Sequence, residues 1–313
     1  MTTALILLIA FVGDAVFGWP ARLYRWVGHP VTWLGALITL LERRLNDPAR
    51  PARTRRLAGV LTALTTIAAA ALPAVLVQAL LPDGIIGVIL AGFLAWPLLA
   101  VRSMHDHVQA VARPLLAGDL PAARGAVAMI VGRDPRQLDE AAVGRAALES
   151  LAENTSDGIV APVFWGVLFG LPGIAAYKAI NTLDSMIGHR NTRYQAFGWA
   201  SARIDDVANL IPARLTGLLF AMVSGRPVAG LKGMARDAGK HRSPNAGWPE
   251  SAMACALNVR LSGPRRYGTH VADEPWLNGT APDPTPECLA GGLALYRRAM
   301  IALAGALALL AMI

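Results

Sequence analysis

Charge is the scarcest thing in this sequence. Only 16% of its 313 residues are charged against 54% hydrophobic, which excludes an ordinary water-soluble domain of this length and marks a membrane protein. Cysteine is scarce too. Cys255 and Cys288 stand far apart with no CxxC pattern, which excludes a zinc site or disulfide framework and leaves two reduced thiols. No internal repeat, low-complexity tract or nucleic-acid-binding module is present. The net charge of +8 flanks apolar segments, so it reads as a positive-inside bias, with no nucleic acid as partner. The apolar start lacks a positive n-region and a small-residue cleavage site, so it is not a secretory signal and should stay attached.

What is present is apolar sequence long enough to span. Residues 57–81 run without a charge, and at about 1.5 Å per residue they exceed a hydrocarbon core of roughly 30 Å. A second uncharged run, 84–101, follows after Pro82 and Asp83, which predicts a tight helical hairpin. Shorter apolar segments at 2–13 and 299–313 predict further helices. The fold class expected is all-α: a polytopic integral membrane protein forming a single membrane-embedded domain over 1–313, with 102–158 and 225–298 mainly cytoplasmic. Arg22, Arg25, Arg43, Arg44, Arg50, Arg53, Arg55 and Arg56 face only Glu42 and Asp47 between 20 and 56, which places that stretch in the cytoplasm.

Within 102–158, Gly118-Asp119-Leu120-Pro121 marks one helix start, and Asp134-Pro135 predicts another helix running to about Glu153. The apolar stretch 159–177 is broken by Leu171-Pro172-Gly173, and 207–224 carries Pro212 and Arg214. Two full crossings there would place Lys178, Arg190, Arg193 and Arg203 outside, against the charge bias. A re-entrant pair that returns 181–206 to the cytoplasmic side is the expectation. Residues 269–286 read as a loose segment.

Five polar words interrupt this background: HPVTWLG at 29–35, ESLAENTSDG at 149–158, YKAINTLDSM at 177–186, FGWASARIDD at 197–206 and KHRSPNAGWPE at 240–250. Polar groups near membrane are expensive and are usually retained for chemistry. Glu149 and Glu153 fall on one helical face, with Asn154 and Asp157 following. Such hard oxygen donors suit Mg²⁺, which is commonly completed by waters and substrate phosphates. The plainer alternative is that Ser156 or Asp157 caps a helix starting at Ile159 and that Glu149 is solvated. Asn181 and Asp184 share a face, and Asp205 and Asp206 add a third acidic word. Lys240, His241, Arg242, Ser243 and Asn245 form a loop of donors suited to phosphate or carboxylate, or else a basic helix-linking turn. Its glycine spacing does not make a P-loop. His105 and His107 point to different helix faces, and Trp33, Trp165, Trp199 and Trp248 read as interfacial residues or stacking platforms.

HPVTWLG, ESLAENTSDGIVAPVFW, YKAINTLDSMIGHRNTRYQAFGWASARIDDVANLIPARL and SPNAGWPESAMACAL resemble the CobD/CbiB family of adenosylcobinamide-phosphate synthases, over about residues 5–268. The opening 13–20 departs from the shorter Asp-rich word of many members. The resemblance implies an ATP- and Mg²⁺-dependent ligase of the cell inner membrane, multi-pass, with its active site facing the cytoplasm. It would join aminopropanol or its O-phosphate to the free carboxyl of adenosylcobyric acid, giving adenosylcobinamide or its phosphate. On that reading Glu149, Glu153, Asp157 and Asp184 are the candidate metal ligands. Asp184, Asp205, Asp206 and His241 are candidates for acid–base work. His29, Asn181, Arg203, Lys240, Ser243, Asn245 and Trp248 are candidates for binding substrate or nucleotide. Membrane lipid is an expected partner, together with a second copy of the chain or other late cobalamin-pathway enzymes. The rivals are a non-catalytic membrane sensor or scaffold of the same architecture, and a transporter.

Overall fold

A computed structural model describes residues 3–131, 134–267 and 270–313, with side chains at 21 and 265–272 left aside. The chain is helical almost throughout. The first five helices are α1 (Thr3–Phe17), α2 (Ala21–Val27), α3 (Pro30–Leu45), α4 (Ala52–Leu80) and α5 (Ile85–Ala95). Then come α6 (Val101–Leu116), α7 (Leu120–Val127) and α8 (Glu140–Thr155), and a π-helical turn at Ser156–Val160 leads from α8 into α9 (Ala161–Ile187). α10 (Trp199–Ala208), α11 (Leu210–Val223), α12 (Pro227–Asp237) and α13 (Gly247–Leu257) precede two small strand pairs. β1 (Leu261–Ser262) runs antiparallel to β4 (Trp276–Leu277), and β2 (Arg265–Tyr267) to β3 (His270–Ala272), before α14 (Pro286–Ala311).

Four stretches, Ala52–Leu80, Ile85–Leu116, Glu140–Ile187 and Pro286–Ala311, are long and apolar enough to cross a bilayer, or up to six if each bent helix pair counts as one span. The chain divides into two compact units. Met1–Ala100, Ala161–Asn209 and Ala306–Ile313 form the first, and Val101–Val160 with Leu210–Gly305 the second.

In the first unit α4 packs along α9, while α5 lies on α1. The expected hairpin of α4 with α5 therefore does not form as a packed pair, because each helix finds its apolar partner elsewhere. Ile38, Ala63, Leu183, Ile187, Phe197 and Ala200 make the core where α3, α4, α9 and α10 meet. Gly59 is required there, since a Cβ would collide with the Phe197 carbonyl. α9 breaks at Gly170, whose φ of 68° no L side chain adopts easily, just ahead of Pro172. The amide of Leu171 that the break frees donates to Gln78 Oε1 of α4 at 2.8 Å, so the orphan is satisfied by protein.

The segment after α9 returns to the end of the unit where α3 leads into α4. Arg193 donates to Glu42 through two bonds, at 2.8 and 2.9 Å, and its carbonyl accepts from Asn46 at 3.2 Å and from Arg55. Arg193 thus meets the arginine-rich turn between α3 and α4.

In the second unit Asp119 caps α7, accepting from Ala122 N at 3.0 Å, as the sequence predicts. α8 starts later than expected. Asp139, not Asp134, caps it by accepting from Ala142 N at 2.8 Å, and Asp134 is instead paired with Arg136. Neither Ser156 nor Asp157 caps a new helix, since the chain does not leave helical geometry there but widens into the π-turn. Nor is 269–286 loose throughout. β4 pairs with β1, and the guanidinium groups of Arg145 and Arg260 lie 4.9 and 4.2 Å from the Trp276 ring centroid, both bonded to Asp283.

Candidate functional site

The first unit holds a buried polar chain built from α9 and α10. Tyr177, Asn181 and Asp184 recur at helical spacing on α9, with Lys178 beside them. Tyr177 Oη donates to Asn209 Oδ1 at 2.8 Å, and Asn209 Nδ2 donates to Asp205 Oδ2 at 3.0 Å. Tyr177, Lys178, Asp205 and Asn209 are all buried. Trp165 Nε1 closes the neighbouring turn by donating to the Ala208 carbonyl at 3.1 Å. Asp206 pairs with Arg203 at 2.8 Å. Asp184 lies within electrostatic range of Asp206, His189 and Arg203, so carboxylates of α9 and α10 and a guanidinium influence one another. Paired carboxylates of this kind can share a proton or a cation.

His29 is the N-cap of α3. Its Nδ1 accepts from Val31 N at 3.2 Å, Thr32 answers from the other side of a capping box, and the ring stands edge-on to Trp19. It lies within electrostatic range of Lys178.

In the second unit, the acidic word divides by role. Glu149 is buried and accepts from Ser262 N at 2.7 Å, anchoring β1 to α8. Glu153 is exposed and Asp157 half-buried, one helical turn apart where the π-turn begins, and the Oγ of Ser156 between them is buried without a hydrogen-bond partner. Among the described residues no three His, Cys, Asp or Glu side chains gather as a metal-binding group. Glu149, Glu153 and Asp157 belong to the second unit and Asp184 to the first.

The loop 240–246 is tied by its own atoms. Asp237, buried, receives Arg236 at 2.6 Å, Lys240 at 2.7 Å and the amide of Asn278 at 2.9 Å. Burial pushes its carboxyl up, but the bonds from Arg236, Lys240 and Asn278 outweigh it and hold the group down at about 2. His241 Nδ1 accepts from Ser243 N at 3.1 Å, and Nε2 lies 3.7 Å from Glu250 Oε1. Ser243 Oγ accepts from the amides of Asn245 and Ala246 at 3.2 and 3.3 Å, leading into α13. Asn245 is buried. Trp248 Nε1 donates to the Pro244 carbonyl, and the Arg214 guanidinium lies 4.3 Å from the Trp248 ring centroid. Arg242 pairs with Glu274 at 3.3 Å, yet its side chain, like that of Lys240, is about half exposed. The two cations can therefore meet an anion from solvent, while His241 and Ser243 shape the turn.

Residue-type reasoning passed over Tyr177, Lys178, Asn209, Asp237 and Glu250. Tyr177 and Lys178 stand inside a polar word and Asn209 follows Asp205 by one helical turn, so spacing alone could have joined them to the site.

The sequence model for "CobD/Cbib protein" matches residues 7–296. This chain belongs to the CobD/CbiB family. It is 66% identical over 300 residues to the cobalamin biosynthesis protein CobD of Rhodobacter capsulatus, covering 96% of this chain and 95% of the relative. It is 48% identical to that of Brucella suis over 88% of this chain and 86% of the relative, and 47% identical to that of Rhizobium meliloti over the same shares. No solved structure matches it.

Proposed function

We propose that this CobD/CbiB member works in cobalamin biosynthesis as an ATP-dependent amide ligase. It would join aminopropanol or its O-phosphate to the free carboxyl of adenosylcobyric acid, in a multi-pass cell inner membrane with the active site facing the cytoplasm. The observation that carries the assignment of residues is the buried Tyr177–Asn209–Asp205 chain beside Asp184 and Asp206, in a chain with family matches over nearly its whole length.

The chemistry sets what these groups must do. A carboxylate and an amine do not condense in water, so the acid is activated first: its oxygen attacks the γ-phosphorus of ATP, and ADP leaves. The amine nitrogen then attacks the acyl carbon, phosphate departs, and a base takes the ammonium proton. Asp184 and Asp206 are the candidates to take that proton, since the two carboxylates lie within electrostatic range of one another. Asp205 is a positioning residue, held through Asn209 by Tyr177. Lys240 and Arg242 are suited to a substrate phosphate, and Arg203 and Asn181 to orienting polar substituents.

Mg²⁺ supplies charge neutralisation on the phosphates when bound. The donors fit it, being carboxylates that need only one or two places in a shell completed by water and phosphate. Glu153, exposed, and Asp157, half-buried, are the candidates in the second unit, and Asp184 the candidate in the first. Glu149 is already committed to Ser262 N.

The test is direct. Purified protein in nanodiscs with ATP, Mg²⁺, adenosylcobyric acid and either amine should release ADP and the amide in equal amounts. A folded preparation that makes no amide with either amine, or that moves substrate across vesicles without ADP release, contradicts the reading.

A further inference from the structure

Six arginines, Arg43, Arg44, Arg50, Arg53, Arg55 and Arg56, crowd the turn from α3 into α4, and the segment after α9 brings Arg190 and Arg193 to the same end. Several are already engaged. Arg193 is bound to Glu42, Arg50 lies 3.5 Å from Asp47, and Arg55 bonds Asn46 and the Arg193 carbonyl. Glu42 is buried beneath Arg193, so it offers little negative charge to solvent. Arg44, Arg53 and Arg56 are exposed and have no carboxylate partner among the described residues. The Arg56 guanidinium lies 5.0 Å from the centroid of the exposed Trp199 ring.

The helix that follows fixes the depth of this patch. α4 presents Leu57, Leu61, Leu64, Leu72, Leu76 and Leu80 outward, an apolar face that only lipid suits. Its charge-free part, 57–80, is about 36 Å long at 1.5 Å per residue, enough for a whole hydrocarbon core. Arg53 and Arg56 therefore stand at headgroup level, with Trp199 where amphipathic rings collect. We propose that Arg44, Arg53 and Arg56, with Trp199, form a binding surface for anionic phospholipid headgroups. Each arginine at that depth attracts an anionic surface, and a cluster of them holds one headgroup with several donors.

The test uses full-length protein reconstituted in phosphatidylcholine bilayers containing a minor fraction of phosphatidylglycerol, then extracted in mild detergent and analysed for retained lipid. Phosphatidylglycerol should be enriched over its bulk fraction, and the combined Arg44→Gln, Arg53→Gln and Arg56→Gln variant should lose at least about fivefold of that enrichment. The matching Lys variant should keep most of it. High salt should abolish it in the native protein. Equal enrichment in native and Gln proteins, or enrichment that ignores salt, overturns the proposal. If the Gln variant fails to insert, the salt titration of the native protein decides alone. Displacement by inorganic phosphate beyond that caused by chloride at equal ionic strength would assign the patch to a soluble anion and overturn the lipid.

Discussion

The polar networks of the two units are built on opposite plans. In the first, Tyr177, Asn209 and Asp205 form a line of side-chain bonds between helices, and Asp184 lies within electrostatic range of Asp206 and its partner Arg203. In the second, His241, Ser243 and Glu149 bond backbone amides, at Ser243, Asn245, Ala246 and Ser262, and Asp237 ties the amide of Asn278 to the side chains of Arg236 and Lys240. A side chain bonded to backbone fixes the path of the chain. Side chains bonded to each other leave the backbone path alone and position polar groups relative to one another. The difference separates groups that shape a turn from groups suited to chemistry, although both kinds look alike as polar words.

Removing a backbone anchor should therefore cost stability first. Asp237→Asn leaves Arg236 and Lys240 without their shared anion and should destabilise the protein by about 1.5–3 kcal/mol, seen as a drop in Tm. The same group predicts an acid limb. Its folded value lies near 2, below its ordinary 3.8, so its contribution is fully present above about pH 3.8 and is lost as pH falls through 2. Thermal scans between pH 5 and 2.5, in units where the native protein loses Tm, should show a shallower loss for Asp237→Asn.

A smaller effect is expected at the α9 break. Gln78→Leu keeps the packing but leaves the Leu171 amide without its acceptor, at a cost of about 1–3 kcal/mol in chemical or thermal unfolding. Glu149→Gln retains an oxygen for Ser262 N and should cost about 1 kcal/mol with amide formation preserved. If it abolishes activity at unchanged Tm, Glu149 is a metal ligand and the division between the units fails. Glu140→Gln, exposed in the first turn of α8, should change stability by less than about 0.5 kcal/mol and activity not at all.

Much of this was legible in the residues. The charge-free run at 57–81 became most of α4, and Leu171-Pro172-Gly173 announced the break of α9. The five polar words contain Tyr177, Asp184, Asp205, Asp206, Glu149, His241 and Ser243, but not Asn209, Asp237 or Asn278. What spacing could not supply was partnership. Nothing local told that α5 would pack on α1, that Gln78 would reach Leu171, or that Trp276 would meet Arg145 and Arg260, because these contacts join residues far apart in the chain. The π-turn was hidden for another reason: Ser156-Asp157-Gly158 reads as a stop, yet flanking helix and burial carry the backbone through it.

The central claim is that amide formation depends on the carboxylates of the first unit. Its most direct test is the rate of amide formation by Asp184→Asn beside its Tm. The account predicts a fall of at least about 100-fold with Tm nearly unchanged, since the lost charge serves proton or metal and not the backbone. Full activity in Asp184→Asn, or a loss matched by unfolding, would contradict it.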